Sequence, residues 1–241
     1  MIEIDLIKKH GKKALGMSET SHEPRGWRAR VGEVLLEIGI IVFAISLSLW
    51  LHNWQEHRHD RARERQFLRG IQQDLADDLR EMRADSGSYQ EQRRGLRYFK
   101  QLTAQNARSD SAGFYSWTLS NATYFISNSS RFDGLKSTGA LGIIEDQALL
   151  GEILTYYQRT TVNLTMNAQG YGTSKAESIQ PYLDLHLKPD KTNLVAVMQE
   201  TPMQNYLSHG NAIGGVLELY HATAQEARKL HRSIGRYLEV E

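Results

Sequence analysis

The apolar run from Val34 to Leu51 constrains this chain more than any other feature, and Glu37 is its only strongly polar residue. At about 1.5 Å per residue a helix over this run covers about 27 Å, close to the hydrocarbon thickness of a bilayer. Trp50 and Trp54 lie where an aromatic belt forms at a membrane surface, and both flanks are rich in charge. The run therefore predicts a transmembrane helix over 33–54, with both tryptophans at the membrane interface.

Two other interpretations of this run are weaker. A signal peptide has its apolar core near the N-terminus and a small-residue cleavage site behind it, whereas about thirty residues precede this run and "LWLHNWQEHRHD" follows it. A buried core helix does not account for the interfacial tryptophans or the charged flanks. A single-pass anchor with the lipid bilayer as its partner is favoured.

The orientation follows from the basic residues on the two sides of the span. Seven precede it and five follow closely: Lys8, Lys9, Lys12, Lys13, Arg25, Arg28 and Arg30, then Arg58, Arg61, Arg63, Arg65 and Arg69. Since Lys and Arg dominate the topology rule and acids count little, the short tail 1–32 is expected in the cytoplasm. In a bacterium this predicts an inner-membrane protein whose domain 55–241 is periplasmic.

One face of the predicted span combines acids with small residues. At 100° per residue this stripe contains Glu33, Glu37, Ile40, Ala44, Ser48 and Leu51. Two interpretations of Glu37 are open. Its carboxylate reaches headgroups or water near the interface, or the stripe is a helix–helix contact in a homo-oligomer, where small residues permit close approach.

Composition narrows the class of protein. The chain has 241 residues and a net charge of +1, so it lacks the whole-protein basic field of nucleic-acid binders, and no nucleic acid partner is expected. It has no cysteine, which excludes disulfides and thiolate chemistry. Only four prolines are present, and helix-favouring residues are frequent. An all-α fold is predicted.

Helix is expected to continue beyond the span. Apolar residues recur at steps of three and four at Phe67, Leu68, Ile71, Leu75, Leu79 and Met82, which indicates an amphipathic helix. Its other faces carry Asp60, Glu64, Asp74, Asp77, Asp78, Glu81 and Asp85, interpreted as a solvated surface rather than a metal site. The stretch from Met203 to Glu241 repeats the apolar spacing, so the predicted fold is a transmembrane helix, a long amphipathic helix and an extramembrane helical bundle.

The middle of the chain is aromatic, and the region after it has helix-breaking residues. Phe114, Tyr115, Trp117, Tyr124, Phe125 and Phe132 are expected to pack into the core, with a ligand or peptide groove as the alternative. Helix is predicted to be interrupted near Gly170 and Gly172 and to stop between Pro181 and Pro189.

The span and several later segments together resemble a known family. The residues that carry the likeness are Glu37, Ala44, Ser48, Asn53 with Trp54, the segment "RQFLRGIQQDLADDL", and the turn Leu135, Lys136, Ser137, Thr138, Gly139. This pattern resembles a family of bacterial single-span membrane proteins described only as a domain of unknown function. His52, Trp50 and Ala44 depart from the family pattern, which puts the tightness of helix packing in doubt. The resemblance implies an anchored envelope protein and supplies no activity.

No sequence motif indicates a specific reaction. The chain has no Gly-x-Ser-x-Gly elbow, no His-Glu-x-x-His pair and no dinucleotide fingerprint, so catalytic residues, cofactors and metals are not predicted. His52, Glu56 and His59 have metal-like spacing but are interpreted as headgroup contacts. The predicted function is a non-enzymatic, homo-oligomeric assembly of scaffolding or pore-like character. The alternative is a sensor or adaptor whose helical domain binds a ligand or an envelope protein, and an enzyme ranks third.

Overall fold

The structure is a computed structural model that describes residues 27–108, 110–208, 210 and 212–240. The predicted cytoplasmic tail therefore lies outside the described residues up to position 26. The chain divides into two compact units, Met1–Arg58 and His59–Glu241. The described ranges are almost wholly helical and contain no strand, which confirms the all-α prediction.

Nine α-helices occur in the described ranges: α1 Trp27–Lys100, α2 Ser111–Tyr115, α3 Trp117–Ser120, α4 Ser130–Ser137, α5 Gln147–Thr155, α6 Thr161–His186, α7 Leu194–Gln199, α8 Thr201–Ser208 and α9 Ala212–Val240. A π-helical segment, Tyr156–Thr160, joins α5 directly to α6. Short 3₁₀ turns occupy Asn106–Arg108 and Ala140–Ile143. No proline lies between Pro24 and Pro181, so nothing in the sequence breaks the long first helix.

In the first unit, α1 presents apolar side chains to its surroundings. Every residue from Leu35 to Trp54 is exposed, and this part of α1 is long and apolar enough to cross a membrane. Trp50 is 61% exposed, and the Arg58 guanidinium lies 4.9 Å from the ring centre of Trp54. Exposed apolar surface of this extent is typical of a membrane span or a protein contact.

The second unit is built on three long helical runs. The Gln72 amide donates to the His231 carbonyl and the Tyr220 hydroxyl to Asp85, so the residue numbers of α1 and α9 run in opposite senses and the helices are antiparallel. Helix α1 also contacts the run from α5 to α6, where Asp78 pairs with Tyr156 and Gln92 pairs with Lys175. Because the residue numbers increase in the same direction on both sides, these helices are parallel. The predicted bundle is confirmed.

The apolar periodicity of α1 produces the core. Phe67, Leu68, Ile71, Leu75 and Met82 are all buried, as the three- and four-residue spacing predicts. Buried residues of α6 and α9 face them in the same core. At about 1.5–3 kcal/mol for each fully buried aliphatic side chain, this burial is the main stabilising term of the unit.

Helix α6 is continuous where the sequence suggests an interruption. It runs through Gly170 and Gly172, so the predicted interruption is wrong, but it passes Pro181 and ends at His186, within the predicted interval from Pro181 to Pro189, which confirms the predicted stop. A helix-interior proline costs about 3 kcal/mol, but the buried residues Ile179 and Leu183 flank Pro181 and keep this turn against the core. Tertiary packing therefore outweighs the local preference.

Candidate ligand cavity and the polar interior face of α1

Helix α1 buries polar groups as well as apolar ones. Glu64, Asp78 and Gln92 have no exposed side-chain surface, and Asp85 is half-buried. Because seven residues make almost two helical turns, positions 64, 78, 85 and 92 lie on one side of α1. This set is called the polar interior face. The prediction that Glu64, Asp78 and Asp85 belong to a solvated surface is therefore wrong, because hydrogen-bond partners from distant segments cover them.

Asp78 is held by four donors. Its Oδ1 accepts from the backbone N–H and the side-chain amide of Asn128, both at 2.8 Å, and its Oδ2 accepts from Ser127 Oγ at 3.2 Å and Tyr156 Oη at 2.8 Å. Burial and the nearby Asp78 raise the pKa of Tyr156 far above its usual value, so the phenol stays protonated and donates. Burial of a carboxylate is costly in free energy unless its lone pairs accept hydrogen bonds, as those of Asp78 do here.

Asp85 and Glu64 are also bound by tyrosines, both from α9. Tyr220 Oη donates to Asp85 Oδ2 at 3.0 Å, and burial raises the pKa of Asp85 to about 6. Tyr237 Oη donates to Glu64 Oε1 at 2.9 Å, and the same oxygen accepts the backbone N–H of Glu145 at 2.9 Å. Asp78, Asp85 and Glu64 of α1 thus each accept a hydrogen bond from a tyrosine hydroxyl that is distant in sequence.

Gln92 binds a buried lysine. Its Oε1 accepts from Lys175 Nζ at 2.8 Å, while its Nε2 donates to Thr123 Oγ1 at 3.0 Å. The same ammonium donates to the Thr118 carbonyl at 3.1 Å and to the Asn121 carbonyl. All three acceptors of Lys175 are neutral, two of them carbonyls in or just after α3.

Glycine permits the close packing that this lysine contact needs. A Cβ at Gly95 of α1 would lie 2.2 Å from Thr118 Oγ1, and a Cβ at Gly172 of α6 would lie 2.9 Å from the Tyr124 ring. Both distances are below any tolerated contact, so neither position accepts alanine without movement of its neighbour. The segment that supplies the carbonyls therefore lies directly against α1 and α6.

Lys175 lines a cavity of about 690 Å³ in the second unit. This volume lies within the range of about 300–1,000 Å³ that small-molecule sites occupy in proteins. Its walls come from α1, α6, α8 and α9, and the described lining residues are Leu96, Met166, Asn167, Gly170, Tyr171, Ser174, Lys175, Ser178, Ile179, Tyr206, Ser208, Gly210, Ala212, Gly215, Val216 and Leu219.

The described lining of this cavity carries positive charge and no negative charge. Lys175 is the only charged residue among the described lining residues, and it is 5% exposed. Burial lowers its pKa to about 8, so most of the amine remains protonated at about pH 7. The hydroxyl of Tyr171, another lining residue, is buried and has no hydrogen-bond partner in the described part of the chain. The Lys175 side chain thus borders the cavity, but its N–H groups are donated to Gln92, Thr118 and Asn121, which are not among the described lining residues.

The residues predicted for membrane and oligomer contacts belong to the first unit, and none of them is among the described lining residues of this cavity. Glu37, Ile40, Ala44, Ser48 and Leu51 are exposed on helix α1, and so are Trp50 and Trp54. Glu33 also belongs to α1, but its side chain lies outside the described ones. The structure contains a single copy of the chain, so the oligomer stripe stays a prediction.

Two further predictions concern metals and aromatic residues. Among the residues that the structure describes, no three metal-binding side chains come together, and His52 and Glu56 are exposed. Of the aromatic middle segment, Phe125 and Phe132 are core residues. Phe114 and Tyr124, by contrast, are 62% and 43% exposed, so the core interpretation holds for only part of that segment.

The sequence interpretation did not find Lys175, although a signal was present. The buried positions of α6 are Thr161, Leu164, Ala168, Gly172, Lys175, Ile179 and Leu183. These are three or four residues apart, so a lysine occupies the apolar stripe of a predicted helix. A charge in such a stripe indicates a buried cation with specific partners.

Comparison of the chain with protein-family models, with curated proteins and with solved structures gives no match. The resemblance to the single-span family of unknown function therefore stays a prediction from the residues that carry it.

Proposed function

We propose that this chain is a membrane-anchored, non-catalytic protein whose helical unit binds a small molecule and acts as a sensor or adaptor. The cavity lined by Lys175 carries this proposal. This cavity is partly open to solvent, and it has the volume, the mainly apolar walls and the few polar groups typical of ligand sites.

The interior chemistry supports binding rather than catalysis. Lys175 donates hydrogen bonds to Gln92 and to two backbone carbonyls, and Asp78 accepts four hydrogen bonds. Groups engaged in this way are poor nucleophiles and poor general bases because a partner must be given up before they react. They do fix the walls of a site in one geometry.

The anchor is supported by the exposed apolar part of α1. We place it in the inner membrane of a bacterium, with the N-terminal tail in the cytoplasm and the domain 55–241 in the periplasm, on the basic excess before the span. In this arrangement the bilayer is the first partner, and an envelope protein is the partner to which an adaptor would pass a binding event.

Adjacent glycines of α9 provide a test of the cavity. Gly215 lines it, whereas Gly214 lines a neighbouring cleft that shares Leu96, Ser208 and Gly210 with it, and a Cβ at either glycine meets nothing within 4 Å. Leucine at Gly215 should fill the cavity, and leucine at Gly214 is the matched control because both changes add the same side chain to the same helix turn.

The measurement is a binding screen on the full chain in lipid nanodiscs, with several hundred small amphipathic compounds of either charge or none. We expect compounds that bind the wild type and the Gly214→Leu variant but not the Gly215→Leu variant. If no compound depends on position 215, the cavity is not a ligand site and the proposal is wrong.

A homo-oligomeric assembly, of scaffolding or pore-like character, is the second candidate. Glu37 favours it, because a carboxylate inside an exposed apolar stretch is costly in lipid unless water or a neighbouring helix shelters it. The sequence alone ranks this function first. The cavity favours the sensor or adaptor over the assembly, because a scaffold does not need a ligand site.

A further inference from the structure

The cleft beside the cavity is lined by cations. It has a volume of about 410 Å³, and Arg93, Arg97 and Lys100 of α1 line it together with described residues of α8 and α9. No acid is among its described lining residues. All three charged residues are exposed, so their side chains are accessible to a ligand from solvent. This site is called the cationic cleft.

The cations of this cleft lack counter-ions. The chain segments that form its described walls lie within 92–109 and 201–217, and neither contains Asp or Glu. The guanidinium groups of Arg93 and Arg97 have no ion pair or hydrogen bond in the described part of the chain. Lys100 Nζ donates to the neutral Ser208 Oγ at 2.9 Å, which leaves two of its three N–H groups for a ligand.

The end of helix α1 accounts for only part of this charge. Arg97 and Lys100 lie in its last turn, where cations stabilise the helix dipole. Arg93 lies about two turns before the end, and the dipole effect falls off within the last turn. Arg93 and Arg97 are also four residues apart, where like charges on a helix repel and destabilise it. A bound anion would remove this repulsion.

Neutral amides hold the walls of the cationic cleft together. Gln204 Nε2 of α8 donates to the carbonyls of Lys100 at 3.1 Å and Met198 at 2.7 Å. Gln199 Nε2 of α7 donates to the Leu102 carbonyl at 2.7 Å. The end of α1 is therefore attached to α7 and α8 without the use of a cationic side chain. The cleft exists in the fold before any ligand enters it.

The lining selects among anions. Guanidinium groups bind phosphate oxygens through paired N–H donors. A phosphate monoester carries nearly two negative charges on three oxygens at neutral pH, so it balances several cations better than one carboxylate does. Leu96 and Leu207 add apolar surface to the cleft, against which an organic body attached to the phosphate would pack.

We propose that the cationic cleft binds a phosphate monoester, with Arg93 and Arg97 on the phosphate oxygens and Lys100 as a third positive charge. This proposal goes beyond the proposed function, because it assigns a second site that binds its ligand whether or not the cavity lined by Lys175 is occupied.

Three compounds that share a benzene ring test the ligand class: phenyl phosphate, phthalate and benzoate. Each is titrated calorimetrically into the full chain in phosphatidylcholine nanodiscs near pH 7.5, with empty nanodiscs as the blank. Since phenyl phosphate makes more charge-assisted hydrogen bonds, we expect it to bind about tenfold more tightly than benzoate. It should also exceed phthalate, whose two charges lie on separate groups. Equal affinity for phthalate and phenyl phosphate would overturn the phosphate assignment.

Glutamine substitutions locate the site. Arg93→Gln and Arg97→Gln should each weaken phenyl phosphate binding about tenfold, because each removes a charged donor from the cleft. Arg94→Gln is the matched control, since Arg94 is exposed on the same turn but does not line the cleft. At physiological ionic strength it should weaken binding less than about twofold. An equal loss in all three variants would show attraction to a basic surface and overturn the site.

Vesicle flotation distinguishes a soluble ligand from a lipid headgroup. The chain in nanodiscs is mixed with phosphatidylcholine vesicles that contain or lack phosphatidic acid, whose headgroup is a phosphate monoester. Flotation that needs phosphatidic acid, is lost in Arg97→Gln and persists in Arg94→Gln would support the proposal with a lipid as the ligand. Binding of phenyl phosphate without flotation would support it with a soluble ligand. If no phosphate probe binds, the proposal is wrong, whereas the test of the cavity through Gly215→Leu is unaffected.

Discussion

Tyr156, in the π-helical segment, donates its hydroxyl to Asp78 of α1 at 2.8 Å, while the next residue, Tyr157, has a buried hydroxyl with no partner in the described chain. The Tyr157 ring instead stacks on Phe132, with centres 4.8 Å apart. Two adjacent tyrosines thus serve different purposes. One satisfies a buried carboxylate, and the other contributes only its ring.

This pair gives the first prediction. Tyr156→Phe leaves an Asp78 lone pair unsatisfied and should lower the free energy of unfolding by about 1–3 kcal/mol. Tyr157→Phe removes a hydroxyl that makes no described bond, so it should be neutral or slightly stabilising. Urea unfolding of both variants, followed by circular dichroism, measures the difference. Equal losses would show that the bond to Asp78 contributes nothing specific.

The second prediction concerns pH and Asp85. Because burial raises the folded pKa of Asp85 to about 6 from its ordinary 3.8, the folded state binds this proton more tightly than the unfolded state does. The stabilisation is therefore full below about pH 4 and is lost as pH rises through about 6.

Asp85→Asn keeps an acceptor for Tyr220 and removes the charge. It should raise the free energy of unfolding by about 1 kcal/mol near pH 7.5, after allowance for solvent screening, and give no gain near pH 4. The exposed Glu91→Gln is the control for loss of one negative charge. A gain of the same size at both pH values would contradict the assignment to Asp85 ionisation.

The third prediction tests the stripe on the apolar part of α1. Leucine at Ala44 or Ser48 should reduce the oligomeric mass of the solubilised protein, because close helix approach needs small residues. Leucine at Val42, on another face, is the matched control and should do little. Native mass measured by light scattering is the readout. If Ala44→Leu, Ser48→Leu and wild type have equal masses, Glu37 is a carboxylate that faces headgroups rather than a helix contact.

The fourth prediction is topological. Since the chain has no cysteine, single cysteines at Ser18 and the exposed Ser120 can be labelled without background. A membrane-impermeant thiol reagent, applied to intact cells with a permeabilised outer membrane, should label position 120 and leave position 18 unlabelled. The reverse pattern would place the helical unit in the cytoplasm.

The apolar part of the fold was predictable because its signal is local. Phe67, Leu68 and Ile71 are three and four residues apart, and helical spacing alone places them on one buried side. Local signals placed the end of α6 between Pro181 and Pro189, and its position at His186 rather than at Pro181 was not predictable in this way. Pro181 is a strong local breaker, and only the packing of Ile179 and Leu183 against other helices keeps the turn helical.

The candidate site was harder to predict because its partners are remote. An acid on a helix such as Asp78 is indistinguishable from a surface acid until Tyr156, far along the chain, is known to reach it. Lys175 is different, since its position within the apolar stripe of α6 was visible. Its meaning depends on Gln92 and the α3 carbonyls, which no spacing rule connects to it.

Ile71 interrupts the seven-residue spacing of the polar interior face, and this interruption limits how α1 can move within its own bundle. An axial slide by seven residues would place Asp78 where Asp85 now lies, opposite Tyr220, and Asp85 where Gln92 now lies, beside Lys175. The same slide would place Ile71 where Asp78 now lies, so the donors Tyr156, Ser127 and Asn128 would lose their carboxylate acceptor. The buried acids and amide therefore fix the axial position of α1, because a slide of this helix along its own axis within the bundle would break several buried hydrogen bonds together.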